Sequence, residues 1–266
     1  MADTLANNKR IAKNTLMLYF RMILLLIISL YTSRVILREL GVDDYGIYNV
    51  VGGIIVILSF LNNAMASATQ RFLNVEMGRK DQMAVNKIFT TSQHIYFGVA
   101  LCLLVIAETA GLWFLNNYMN IPDGRLEAAN WVYQFSIISA IFGIFTVSYN
   151  AVIISHEKMS AFAYISIIEA VLKLLVTFAV IWAPFDKLIF YAALIMLIGM
   201  INCGVYVYYG FRHFEECRHF TIKTDRPMMK QMLSFSGWTV FGNLGYILHT
   251  QGIAIVINMF FTVAVN

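Results

Sequence analysis

Long apolar runs constrain this chain more than any other feature. They cover residues 15–37, 47–68, 88–115, 131–154, 160–183, 188–211 and 235–265. A helix needs about 20 apolar residues to cross a hydrocarbon core of ~30 Å. Within that core only helices and closed barrels satisfy their own backbone groups, and unalternating runs of this length select helices. The expectation is an all-α integral membrane protein. Residues 1–211 form an N-terminal six-helix transmembrane bundle, 212–230 a cytoplasmic linker, and 231–266 the first transmembrane helix of a second lobe.

Composition excludes the soluble classes. The chain is 59% hydrophobic and only 13% charged, against about 25% charged residues in soluble domains. Its net charge of +4 carries no nucleic-acid signal, because no basic run is interleaved with aromatics. The charge has a topological meaning instead. Sorted by loop, thirteen of the nineteen Lys and Arg fall on one side, four (Arg34, Arg38, Arg125, Lys187) on the other, and Arg21 and Lys173 lie inside runs. The positive-inside rule then puts the N-terminus in the cytoplasm of a cell-membrane protein. The first run is too long for a cleaved signal peptide and lacks a small-residue cleavage site. Cys102 and Cys203 sit in apolar runs and Cys217 in a polar loop. With no CxxC and no metal-ligand spacing among the five histidines, no disulfide, metal or cofactor is expected.

The intramembrane charges are the candidate functional residues. Glu169 lies nine residues past Ser160, roughly 13 Å along the helix at about 1.5 Å per residue. Lys173 follows at i+4, on the same face, and Ser166 and Thr177 extend that polar stripe. A charge at the bilayer centre costs at least ~2.5–3.5 kcal/mol, so it faces a partner or a wet cavity. Two readings stay open: a packed structural pair, or the lining of a polar path. Arg21 belongs to a second stripe with Asn14, Ser29 and Thr32. It either snorkels to the headgroups or faces inward.

The loops carry their own signals. Gly41 and Gly46 bracket a tight turn in which Asp43 or Asp44 is placed to cap the next helix. Run 47–68, broken by Asn62-Asn63, has the small-residue composition of close helix packing. His94 reads more readily as a packing histidine than as a proton relay, and Glu108 lies near the far end of its run, within reach of water. Pro122-Asp123-Gly124 and Pro184-Phe185-Asp186 mark turns, and Asp225-Arg226-Pro227 a helix start. The last run stops at Asn266 without a polar tail or aromatic anchor. A fragment ending as a second bundle begins is therefore expected. A weak repeat at an offset of 221 residues, pairing Phe20 with Phe241 and Leu40-Gly41-Val42 with Phe261-Thr262-Val263, supports it.

Two segments carry a family resemblance. SRVILRELGVDDYGIYNVV (33–51), with Leu40, Gly41, Tyr45 and Gly46 in its turn, and YNAVIISHEKM (149–159) resemble polysaccharide flippases. These belong to the multidrug/oligosaccharidyl-lipid/polysaccharide exporter superfamily. The resemblance implies two six-helix lobes around a central cavity and alternating access by lobe rocking. Its implied cargo is an oligosaccharide on a polyprenyl pyrophosphate, moved from the cytoplasmic to the outer leaflet. It also implies membrane lipids and a C-terminal lobe as partners. Related lipid II flippases carry a basic pair late in helix 1, where this chain has Thr32-Ser33-Arg34. A pyrophosphate calls for cations in a low-dielectric lumen, since Arg matches phosphate oxygens with a planar fork. The substrate-path candidates are Arg21, Arg34, Arg38, Arg71, Glu169 and Lys173, with Glu169 holding Lys173 or exchanging a proton with it.

Three other classes remain to be weighed. A cation-coupled exporter of small organic molecules, in the same superfamily, needs Glu169 free of its lysine. A membrane glycan polymerase or ligase needs a large charged outer loop, whereas the outer loops here are short and nearly neutral, so no enzyme is expected. A purely structural protein leaves the intramembrane charges without a purpose.

Overall fold

A computed structural model describes the backbone of residues 2–118, 121–122, 124–184, 186–218 and 225–242; the side chains of 2–11, 13, 50, 52–61 and 118 are not described. Among the described residues there is no strand. The helices are α1 (Ala2–Arg79), α2 (Gln82–Ile106), a π-helical turn (Ala107–Gly111), α3 (Leu112–Tyr118), α4 (Leu126–Ser155), α5 (Met159–Ile181) and α6 (Lys187–His213). A further helix, α7, covers 226–242.

Five helices among the described residues are long and apolar enough to cross a membrane: Asn14–Asn49, Gln82–Asn117, Leu126–Ser155, Met159–Ile181 and Lys187–His213. The expected span at 47–68 lies in the second half of α1, where the side chains of 52–61 are not described. Most of the expected span at 235–265, and with it the matching half of the Leu40-Gly41-Val42 repeat, lies outside the described residues.

α1 is two helices joined at Gly41, whose φ of 79° and ψ of 172° fall outside the helical region. Only glycine adopts that positive φ without a Cβ penalty. Gly46, the other expected turn glycine, is helical. The halves of α1 run in opposite directions, as the contacts at the two ends of the bundle establish.

At one end, Arg125 on the loop before α4 reaches both Asp44 and Asp186. Its Nε donates to Asp44 Oδ1 at 2.8 Å and its Nη1 to Asp186 Oδ2 at 2.5 Å, and Nη2 also meets Asp44. Lys187 Nζ donates to Glu39 at 3.0 Å. The sequence offers Asp43 or Asp44 as a helix cap, and Asp44 takes a different role. Because the turn is made by Gly41 alone, helix resumes before Asp44, and both carboxylate oxygens accept from Arg125. Asp186 does cap, accepting from the Leu188 and Ile189 amides at 3.0 and 3.2 Å. Burial pushes its carboxyl upward, but Arg125 and these amides outweigh burial and hold it below its ordinary value. The Arg125 guanidinium is raised by Asp186 first and Asp44 second.

At the other end, His156 follows α4 and its Nε2 lies 2.6 Å from Glu216 Oε1. The imidazole stacks on Phe214 with centroids 4.3 Å apart. Glu216 is 2% exposed; burial raises its pKa, yet the His156 contact and a Gln82 hydrogen bond leave it below the usual glutamate value. Burial also pushes the Cys217 thiol up. Asp81 caps α2 through Ala84 N, and Asp225 caps α7 through Met228 N at 3.1 Å, as Asp225-Arg226-Pro227 predicts. Gln82 and Glu216 thus share one end, while Asp44 lies at the other. Arg21 stacks on Phe162, just past the His156 turn, so 14–40 and 42–79 traverse the bundle oppositely.

α4 is the central element, packed against α1, α2 and α6. Its Val132, Tyr133, Ile137, Ile144 and Ile153 are all buried. Lipid tails are as apolar as these side chains, so close packing and internal hydrogen bonds hold such a bundle together. Tyr133 Oη donates to Ala107 O at 2.9 Å, a second bond to a carbonyl that already accepts from the Leu112 amide across the π turn. Thr69 Oγ1 and Tyr96 Oη lie 3.1 Å apart, joining α1 to α2. Glu108, half-buried, accepts from Gln134 Nε2 at 3.2 Å.

Candidate substrate-path cavity

The polar stripe of α5 and that of α1 face each other. Arg21, Ser29, Thr32 and Ser33 of α1, Ser166, Glu169 and Lys173 of α5, and Tyr191 of α6 line a cavity of about 460 Å³. Helical periodicity on both elements produces this match. Arg21, Ser29 and Thr32 recur on one face of α1, while 166, 169, 173 and 177 recur every three or four residues on α5.

Lys173 Nζ donates to Glu169 Oε1 at 2.6 Å. The second carboxylate oxygen, Oε2, accepts from Asn202 Nδ2 of α6 at 3.0 Å. The side chains of Glu169 and Lys173 are 29% and 43% exposed, so the pair opens to the cavity instead of being sealed in the packing. Ser166 and Thr177 turn back to donate to the carbonyls of Phe162 and Lys173, both at 2.9 Å. The Arg21 guanidinium lies 4.2 Å from the Phe162 ring centroid, a cation–π contact. Its Nε and the Thr32 hydroxyl are buried without a hydrogen-bond partner among the described residues. Arg21 and Lys173 against Glu169 leave the lining with a net charge of +1. A half-buried guanidinium whose Nε has no partner among the described residues, beside a lysine steered by a carboxylate, has the chemistry to receive an anionic group.

Of the sequence-derived candidates, Arg21, Glu169 and Lys173 share this cavity. Arg34 and Arg38 are exposed further along α1 toward the Gly41 end; Arg38 comes no closer than 3.9 Å to Glu39. Arg71 belongs to a separate groove on the second half of α1. Asn202 is the residue the sequence reading missed. Its signal was present as a lone amide in the apolar run 188–211, but only packing reveals that it faces Glu169. Tyr206, one turn further on, is buried within electrostatic reach of both Glu169 and Arg21.

Antiparallel and parallel helices enclosing a charged cavity define a multi-pass membrane protein with a polar interior. The chain belongs to the family described as "Polysaccharide biosynthesis protein", whose model matches residues 11–265, in agreement with the flippase resemblance. It is also similar to "Uncharacterized membrane protein EpsK" of Bacillus subtilis (strain 168), at 20% identity over 226 residues, 84% of this chain and 44% of that protein. The chain thus spans under half the length of that relative. No solved structure matches it.

Proposed function

We propose that the protein is a transporter, not an enzyme, that flips polyprenyl-pyrophosphate-linked oligosaccharides from the cytoplasmic to the outer leaflet by alternating access, for surface polysaccharide biosynthesis. The observation that carries this reading is the net-positive cavity lined by Arg21, Glu169 and Lys173, with Asn202 bonded to Glu169, inside largely apolar helices, in a member of a polysaccharide biosynthesis family. A pyrophosphate brings at least two negative charges to a site with a spare guanidinium donor and a steered ammonium. Membership of the family supports the cargo class; the cavity supports the charge.

In this reading residues 1–211 act as one lobe, 212–230 as the cytoplasmic linker, and 231–266 as the start of the second lobe that completes the pathway. Arg34 and Arg38 stand toward the outer mouth. Glu169 is engaged by both Lys173 and Asn202, which disfavours a free cation-binding carboxylate and with it a cation-coupled exporter.

The experiment is complementation. A strain lacking its own flippase, carrying the full-length protein, is assayed for surface glycan and for the leaflet of the lipid-linked oligosaccharide. Arg21→Gln leaves the precursor on the cytoplasmic side at normal protein abundance; unchanged export refutes the reading. Orientation is tested with a cysteine at position 224, which resists membrane-impermeant thiol reagents in intact cells while one at 117 reacts.

A further inference from the structure

A second groove, of about 680 Å³, lies between the second half of α1 and α7. Arg71, Arg79 and Lys230 rim it, and Phe72, Val75, Met228, Phe235 and Trp238 form its apolar wall. Arg79 is paired with Glu76 at 2.8 Å. Arg71 and Lys230 have no carboxylate partner among the described residues, so three cations against one carboxylate leave the rim at +2. The Arg71 guanidinium is stacked 4.4 Å from the Phe235 centroid, and Phe72 meets the same ring edge-on at 6.2 Å. That fixes Arg71 on the rim with no hydrogen-bond partner for its donors among the described residues. Trp238, 73% exposed, continues the apolar wall outward, as tryptophan does at headgroup level. The groove shares the bundle end of Gln82 and Asp225, with their capped helix starts.

We propose that this groove binds an anionic phospholipid, its phosphate held by Arg71 and Lys230 and its upper acyl chain laid along Phe72, Val75 and Trp238. Charge and shape both match an anionic amphiphile: cations on the rim, hydrocarbon along the wall. The rim is exposed, so its attraction is of the weak, additive kind that juxtamembrane basic residues exert on anionic headgroups. Attraction of that strength is filled by a lipid abundant in the leaflet, not by a scarce carrier lipid. Occupancy would tie α7 to α1 beside the link between residues 213 and 225, making the joint lipid-dependent.

Trp238 serves as the reporter. In the full-length protein its other tryptophans, including Trp113, Trp131 and Trp182, are replaced by Phe, and the protein is placed in phosphatidylcholine bilayers. Brominated phosphatidylglycerol or brominated phosphatidylcholine is then added at equal mole fraction. The expected result is at least threefold stronger quenching by the anionic lipid. Arg71→Gln with Lys230→Gln abolishes the difference, while Arg71→Lys with Lys230→Arg keeps it. Residual quenching by brominated phosphatidylcholine reports that the helices remain inserted. Equal quenching by the two lipids overturns the proposal, as does a preference that survives the Gln pair. Displacement of the brominated lipid by under one mole per cent of a polyprenyl phosphate also overturns it, by assigning the groove to the carrier lipid.

Discussion

Arg125 and Asp186, 61 residues apart in sequence, are joined at 2.5 Å, and the same guanidinium holds Asp44 from 81 residues away. One side chain thereby fastens the α1 turn, the start of α4 and the start of α6. Its three-way fork matches two carboxylates at once, a geometry that an ammonium on a flexible stem does not reproduce. All three side chains are partly solvated, Arg125 at 28%, Asp44 at 19% and Asp186 at 31% exposure, so screening reduces what the ion pairs contribute.

Arg125→Gln should lower stability by about 1–3 kcal/mol, the scale of charged hydrogen bonds discounted for solvent. Arg125→Lys should recover less than half of that loss. Apparent Tm in detergent is the measurement, and a Lys variant equal to the parent contradicts the bidentate account.

The depressed carboxylates set the pH dependence. Asp186 and Glu216 both titrate below their ordinary values of 3.8 and 4.5 in the folded state. Each therefore contributes stability that is complete above its ordinary value and disappears as pH falls through the lower folded value. Apparent Tm should show no loss attributable to these groups between pH 7 and about 5, then fall below about pH 4, and Glu216→Gln should flatten part of that fall. A Glu216→Gln effect confined to pH 6–8 would contradict this assignment.

Gly111→Ala should be disruptive although alanine is the better helix former. A Cβ there would stand 1.9 Å from Tyr133 Oη, which donates to Ala107 O. Overpacking of this kind costs about 1–3 kcal/mol. Tyr133→Phe removes the clashing oxygen, so the double variant should be more stable than the sum of the single losses predicts. Additive losses would mean that the π turn, not the hydroxyl, is what rejects the methyl.

Much of the architecture was legible because a membrane leaves few choices. Run length predicts helices at 88–115, 131–154, 160–183 and 188–211; spans cover three of them, and the span over 160–183 stops at Ile181. Asp225 before Arg226-Pro227 announced a cap that the Met228 amide fills. The Ser166, Glu169, Lys173, Thr177 stripe is local, so i, i+4 spacing alone was enough to find the ion pair. What could not be read was anything joining distant segments. Nothing near Asp44 says that it pairs with Arg125 instead of capping a helix, and nothing near Asn202 says that it meets Glu169. The stacking of Arg21 on Phe162 likewise depends on two helices running parallel.

The Glu169–Lys173 pair supplies the last prediction. Lys173→Met conserves most of the side-chain volume, so a purely packing role predicts tolerance. It also strands Glu169 with Asn202 as its remaining partner. Complete burial would make that cost ~3–5 kcal/mol, but both groups open to the cavity, and about 1–2 kcal/mol is expected after screening. Membrane abundance of Lys173→Met in the full-length protein should therefore fall modestly. Glu169→Gln with Lys173→Met removes the stranded charge, keeps an amide beside Asn202, and should restore abundance. Arg21 then remains as the cavity's one charged lining residue among those described. If the proposed function holds, abundance returns while export of the lipid-linked glycan does not, because the steered ammonium is gone. If export returns with abundance in cells carrying only that copy, the pair is structural, and the anion-binding role falls to Arg21 alone.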